Sequence, residues 1–250
     1  MNTPNPYAPP PSGADSSRPP APGAGDFSIM EILSEAWRLS DGCKGSFLAV
    51  YAAVFIVMWL AQAIVALVFS IDTLAAVSPF ATVLWQVLLA AVLYPFLAGV
   101  VTLALRRADG LPVKAAAAFS HGVPLGQIVL LGVLLTLATL IGFSLLLLPG
   151  IYLSVALMFA LPLVVDRRLG AVDALKTSLA AVNPRWFRCA GLLLALGLLL
   201  ALGGLVIVGL IWVLPVTSIA IALAYRRFFP AADGVTPGVA VRVVDAGPAT

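Results

Sequence analysis

Residues 151–168, IYLSVALMFALPLVVDRR, run uncharged from Ile151 to Val165 and close on Asp166-Arg167-Arg168. The basic pair is one of three. Arg106-Arg107, Arg167-Arg168 and Arg226-Arg227 lie 61 and 59 positions apart, and each ends a hydrophobic passage of two helix lengths. A chain that meets a basic pair after every second apolar helix reads as three consecutive membrane hairpins, each returning to the same face of a bilayer.

Composition agrees with that reading. The chain is 62% hydrophobic and 10% charged, with a mean hydropathy of +1.08, against roughly 25% charged residues in soluble domains. The expected fold class is all-α integral membrane: a six-helix bundle of three hairpins with short amphipathic interfacial helices and both termini cytoplasmic. The spans fall at about residues 46–71, 80–105, 125–148, 151–168, 188–205 and 208–226, within a membrane domain of residues 28–229. None of the fourteen Lys and Arg falls in the connections after the first, third or fifth span; all lie before the first span or around the ends of the second, fourth and sixth. The net charge of +3 gives no reason to invoke nucleic acid. No short apolar run stands near Met1, so a cleavable signal peptide is not expected.

The fourth span is the weakest. Residues 151–165 reach only about 22 Å as a helix, short of a hydrocarbon layer of about 30 Å. Pro149-Gly150 before them reads as the hairpin turn, because proline cannot continue a helical ladder and glycine admits the angles of a tight reversal. The hairpin over 125–165 either crosses or re-enters, and both give the same charge pattern.

Around the spans, eight of the nineteen prolines fall in residues 1–26, so residues 1–27 read as a disordered Pro-rich cytoplasmic tail. Residues 230–250 read as a flexible cytoplasmic tail. Ser28-Ile29-Met30-Glu31 fits a capping box. The helix it opens has Ile29, Ile32, Leu33, Ala36 and Trp37 on one face, and it either lies along the membrane surface or packs on the bundle. Pro112 is positioned to start a short helix through Ala118. A second amphipathic helix covers 171–182 and stops at Asn183-Pro184, with Trp186 suited to the headgroup layer. Gly203-Gly204 or Gly209 marks the last reversal. The returning helix of each hairpin carries one proline, Pro95, Pro162 and Pro215, each a candidate kink.

The strings Leu148-Pro149-Gly150-Ile151-Tyr152-Leu153, Leu161-Pro162-Leu163-Val164-Val165-Asp166 and Gly170-Ala171-Val172-Asp173-Ala174-Leu175-Lys176-Thr177-Ser178 resemble the uncharacterised YciC-like bacterial inner-membrane proteins. Those are similar in turn to the membrane domain that accompanies some glycerophosphoryl diester phosphodiesterases. The resemblance covers roughly residues 125–228. It implies a multi-pass bundle in a bacterial inner membrane and brings neither an activity nor catalytic residues.

The residues themselves offer no catalytic, cofactor or metal site. Cys43 and Cys189 are isolated and read as packing residues. His121 is the sole histidine, and one histidine makes neither a metal site nor a proton relay. Gln62, Gln86 and Gln127 read as hydrogen-bonding glue between helices. What remains is the basic belt. Arg106, Arg107, Arg167, Arg168, Arg226 and Arg227 are candidate contacts for anionic lipid headgroups, each contributing on the order of 1 kcal/mol near a charged leaflet. The expected function is a non-enzymatic membrane factor without a cofactor, its partners being membrane lipids and another membrane protein or a second copy. The alternative is a small-molecule transporter or channel component.

Overall fold

The computed structural model describes residues 27–68, 79–119, 122–205 and 209–230. His121, Asp72 and the tail segments 1–26 and 231–250 lie outside them. The helices are α1 (Ile29–Ser40), α2 (Lys44–Val68), α3 (Pro79–Ala108), α4 (Leu125–Leu145), α5 (Leu147–Ala156), α6 (Ala160–Arg167), α7 (Ala171–Val182), α8 (Trp186–Leu205) and α9 (Leu210–Phe228). Short 3-10 turns occupy Ala115–Phe119 and Asn183–Arg185. No strand occurs among the described residues.

Among the described residues, six stretches are long and apolar enough to cross a membrane: Lys44–Ile64, Ala81–Ala108, Leu125–Leu145, Leu147–Arg167, Ala171–Leu205 and Leu210–Phe228. The protein is therefore all-helical with six candidate membrane spans, as its composition dictates. In such spans the backbone satisfies its own hydrogen bonds and the side chains are left apolar on every side. On α2 this is most evident, with Phe55, Trp59, Ile64 and Leu67 all exposed.

The amphipathic helix α1 packs on the bundle. Ile32, Ala36 and Ser40 recur every fourth residue and are buried, and the helix lies against α9 and α8. Trp37, expected on the same face, is 49% exposed. The capping box does not form. Ser28 occupies the N-cap position with an extended backbone, but its side chain makes no capping bond, and the first helical bond runs from Ile32 N–H to the Ser28 carbonyl at 3.1 Å. The Glu31 carboxylate turns instead toward Arg227 of α9, 3.4 Å away. Phe27, just before this helix, is buried with its ring edge-on to Phe228 at 6.1 Å.

Two proline and glycine expectations are corrected. Pro149-Gly150 is not the hairpin turn. The chain reverses at Leu146, which is extended at φ −171°, and Pro149 and Gly150 sit in the first turn of α5. Proline is tolerated there because its missing N–H has no helical partner. Gly150 serves contact, since a Cβ on it would overlap the Phe143 ring and one on Gly142 would lie 3.0 Å from the Gly150 Cα. Pro112 likewise precedes a 3-10 turn and no α-helix. That turn docks on α3, where a Cβ on Gly99 would come within 3.1 Å of Ala118. Of the candidate kinks, Pro95 and Pro215 stand inside unbroken helices, whereas Pro162 follows a break at residues 157–159. Pro162 offers no N–H to the Met158 carbonyl four residues back, and its ring crowds that carbonyl. At the last reversal Gly203 and Gly204 belong to α8, and Gly209 stands just before α9. There a Cβ on Gly209 would lie 2.7 Å from the Gly203 carbonyl oxygen.

Both cysteines are free and buried. Burial pushes the Cys43 thiol up, and its S–H donates to the Ser40 carbonyl at 3.3 Å. Since the thiolate is the nucleophile, maleimide is expected to label neither cysteine in the folded protein and both after denaturation. Intact-mass analysis checks this, and rapid modification of the native chain would contradict the packing.

Candidate functional site at the arginine pairs

The three arginine pairs do not form one equivalent belt. Arg226, in the last turn of α9, faces two carboxylates. Its Nε and Nη2 donate to Asp109 at 2.8 and 2.7 Å, and its Nη1 and Nη2 donate to Asp166 at 2.7 and 2.9 Å. The Tyr225 hydroxyl also donates to Asp166, at 2.9 Å. Asp109 follows α3 and Asp166 lies near the end of α6, so one guanidinium ties together the ends of three helices. Its planar fork suits this, because two of its edges can each meet a carboxylate.

Arg107 has a different task. Its Nε and Nη2 donate to the backbone carbonyls of Leu39 and Asp41 at 2.6 and 2.7 Å. These carbonyls stand at the C-terminus of α1, where a helix leaves acceptors unpaired and its dipole favours a cation. Arg227 meets Glu31 and Glu35 of α1 at 3.4 and 3.6 Å. That contact is exposed and long, and contributes little to stability. Arg167 donates to the Pro230 carbonyl at 3.3 Å and lies 5.0 Å from the centre of the Phe229 ring.

Arg106 and Arg168 differ from these four. Arg168 ends α6 in the left-handed region at φ 53° and is exposed. The Nε of Arg106 is buried without a hydrogen-bond partner. As candidate anionic-lipid contacts the six therefore separate: the Arg226 guanidinium is already held by Asp109 and Asp166 and the Arg107 guanidinium by the end of α1, whereas Arg168 is exposed, its guanidinium beside Gly122.

Beside this cluster the helix break is closed from another helix. Ser178 of α7 is fully buried. Its hydroxyl donates to the Ala156 carbonyl at 2.8 Å and accepts the Phe159 N–H at 3.3 Å. One side chain thus bridges both ends of the gap between α5 and α6, supplying the partners that the broken ladder lacks. Phe159 itself packs on Phe228 at a centroid distance of 5.0 Å and on Tyr225 at 6.0 Å, so the break, the aromatic core and the Arg226 cluster adjoin.

Further polar residues act between helices. Gln127 does so as expected, its Oε1 accepting the N–H of Ala171 at 3.1 Å. Trp186 stacks on Tyr152 at 6.1 Å and donates its ring N–H to the Tyr152 carbonyl at 3.3 Å, while the Tyr152 hydroxyl donates to Asn183 at 2.6 Å. Asp109, Ser178 and Tyr225 were not legible as site residues. The one signal for the first was an acid placed two residues beyond a basic pair, mirrored by Asp166 immediately before the next.

The chain matches no family model, and no curated protein or solved structure is similar to it.

Proposed function

We propose that this polytopic chain is a non-enzymatic factor of a bacterial inner membrane, built as three hairpins with both termini cytoplasmic, that holds anionic phospholipid headgroups. The resemblance of residues 125–228 to YciC-like proteins forms part of this reading. The observation that carries it is the uneven use of charge. Asp109 and Asp166 are committed to Arg226, and Glu31 and Glu35 face Arg227. Exposed Arg168, Lys114 and Lys176 have no carboxylate within ion-pair distance among the described residues. Cations left over in this way attract a negative leaflet. The apolar face of α2 supplies a surface for acyl chains or for another membrane protein.

The test is native mass spectrometry of the protein extracted with its lipids. Arg168→Ala combined with Lys176→Ala is expected to lower retention of phosphatidylglycerol about tenfold at low salt, with phosphatidylethanolamine retention unchanged. Equal retention of the anionic lipid by variant and parent sinks the proposal. A second reading, a small-molecule transporter or channel component, is favoured by a cavity of about 220 Å³ lined in common by α3, α6 and α9, the helices that carry Pro95, Pro162 and Pro215. Flux in proteoliposomes separates the two.

A further inference from the structure

A cavity of about 220 Å³ lies where α2, α3, α6 and α9 meet. Its walls include Tyr51 of α2, Ala104 of α3, Met158 and Pro162 at the helix break, and Ser218 and Ala222 of α9. The three helices that carry Pro95, Pro162 and Pro215 all contribute to its wall. Pro162 is in its wall, Leu97 lines it two residues beyond Pro95, and Ser218 lines it three residues beyond Pro215. The returning helix of each hairpin therefore contributes to one chamber, and membrane proteins built from similar units bind ligands where those units meet.

Its chemistry is one-sided. No charged side chain lines it. The Ser218 hydroxyl lies 2.9 Å from the Leu214 carbonyl, to which it gives its only hydrogen, and 2.6 Å from the Tyr51 hydroxyl. A serine has one hydrogen to donate, so Tyr51 donates in the shorter bond and is left with unshared pairs alone. A cavity of about 150 Å³ takes a benzene molecule, so this one has room for one ring and a short substituent.

We infer that this chamber binds a neutral, ring-sized molecule carrying one hydroxyl, which donates to Tyr51 while the ring fills the apolar walls. The inference is independent of the headgroup proposal, since none of these residues belongs to the arginine pairs.

The experiment uses the full chain in detergent with a benzyl alcohol that bears a photoreactive diazirine on its ring, with crosslinks mapped by peptide mass spectrometry. Labelling is expected to concentrate on residues 158–162 and 218–222. Unmodified benzyl alcohol should compete for it, and toluene, which lacks the hydroxyl, should compete about fivefold less well. Ala222→Met, which fills the space, should remove the labelling, and Tyr51→Phe should weaken it several-fold. Labelling confined to outward residues such as Phe55 and Trp59, or indifferent to Ala222→Met, overturns the site. Equal competition by toluene overturns the hydroxyl requirement. Should Ala222→Met fail to fold, the competition on the unaltered chain still decides.

Discussion

Arg226→Ala is expected to destabilise the detergent-solubilised protein by about 3 kcal/mol, a loss typical of removing one partner from a mostly buried ion cluster. Arg226 and its two carboxylates are each about one-fifth exposed or less on their side chains, at 17%, 22% and 22%. Deleting the guanidinium leaves Asp109 and Asp166 facing each other without a cation between them. The damage is therefore mainly an uncompensated pair of negative charges, which gives a specific rescue. Adding Asp109→Asn and Asp166→Asn to Arg226→Ala should recover most of the loss, whereas Arg226→Lys should recover little, because an ammonium cannot meet two carboxylates edge-on. Reversible unfolding in mixed micelles measures all of these variants. A stability of Arg226→Ala within about 0.5 kcal/mol of the parent would show that the cluster does not hold the helix ends together.

Ser178→Ala should cost about 2 kcal/mol, because it strands two backbone groups at once, the Ala156 carbonyl and the Phe159 N–H. Both lie at a buried break where water does not replace the hydroxyl. Ser154→Ala is the matched control. That hydroxyl donates to the Gly150 carbonyl one turn back in its own helix, at 2.8 Å, and such a carbonyl keeps its amide partner when the hydroxyl is lost. Its expected cost is below about 0.5 kcal/mol. Hydrogen exchange gives a second readout, with the Phe159 amide exchanging faster in Ser178→Ala and unchanged in Ser154→Ala. Similar behaviour of the two variants would contradict the bridging role.

Much of this architecture is legible in the sequence. Leu, Val and Ala runs without charge between residues 44 and 228 permit little except helices, and the helices at 125–145, 171–182 and 210–228 fall close to where periodicity and charge put them. Punctuation was less legible. Pro149-Gly150 has the composition of a turn, yet a proline in the first turn of a helix meets the same local rules, and the close approach of the Phe143 ring to Gly150 is a contact that no local pattern shows. Pro95, Pro162 and Pro215 looked alike. Only Pro162 adjoins a break, because only there does a neighbouring helix bring a serine to satisfy the groups that the break releases.

The candidate site divides in the same way. Six arginines in three pairs can be counted on the chain, each pair at the end of an apolar passage. Which carboxylate each guanidinium meets depends on partners 117 and 60 residues away for Arg226 and 196 away for Arg227. No local pattern encodes such distances. The sequence by itself determined the class, the helices and the places where charge collects, since these follow from hydropathy and backbone chemistry over a few turns. Tertiary structure alone decided that Arg226 is a clasp, that Arg107 closes the end of α1, that Ser178 mends a helix, and that three proline-bearing helices enclose one chamber. Each of those depends on groups brought together by packing, where an unpaired charge or amide is costly enough to select its partner.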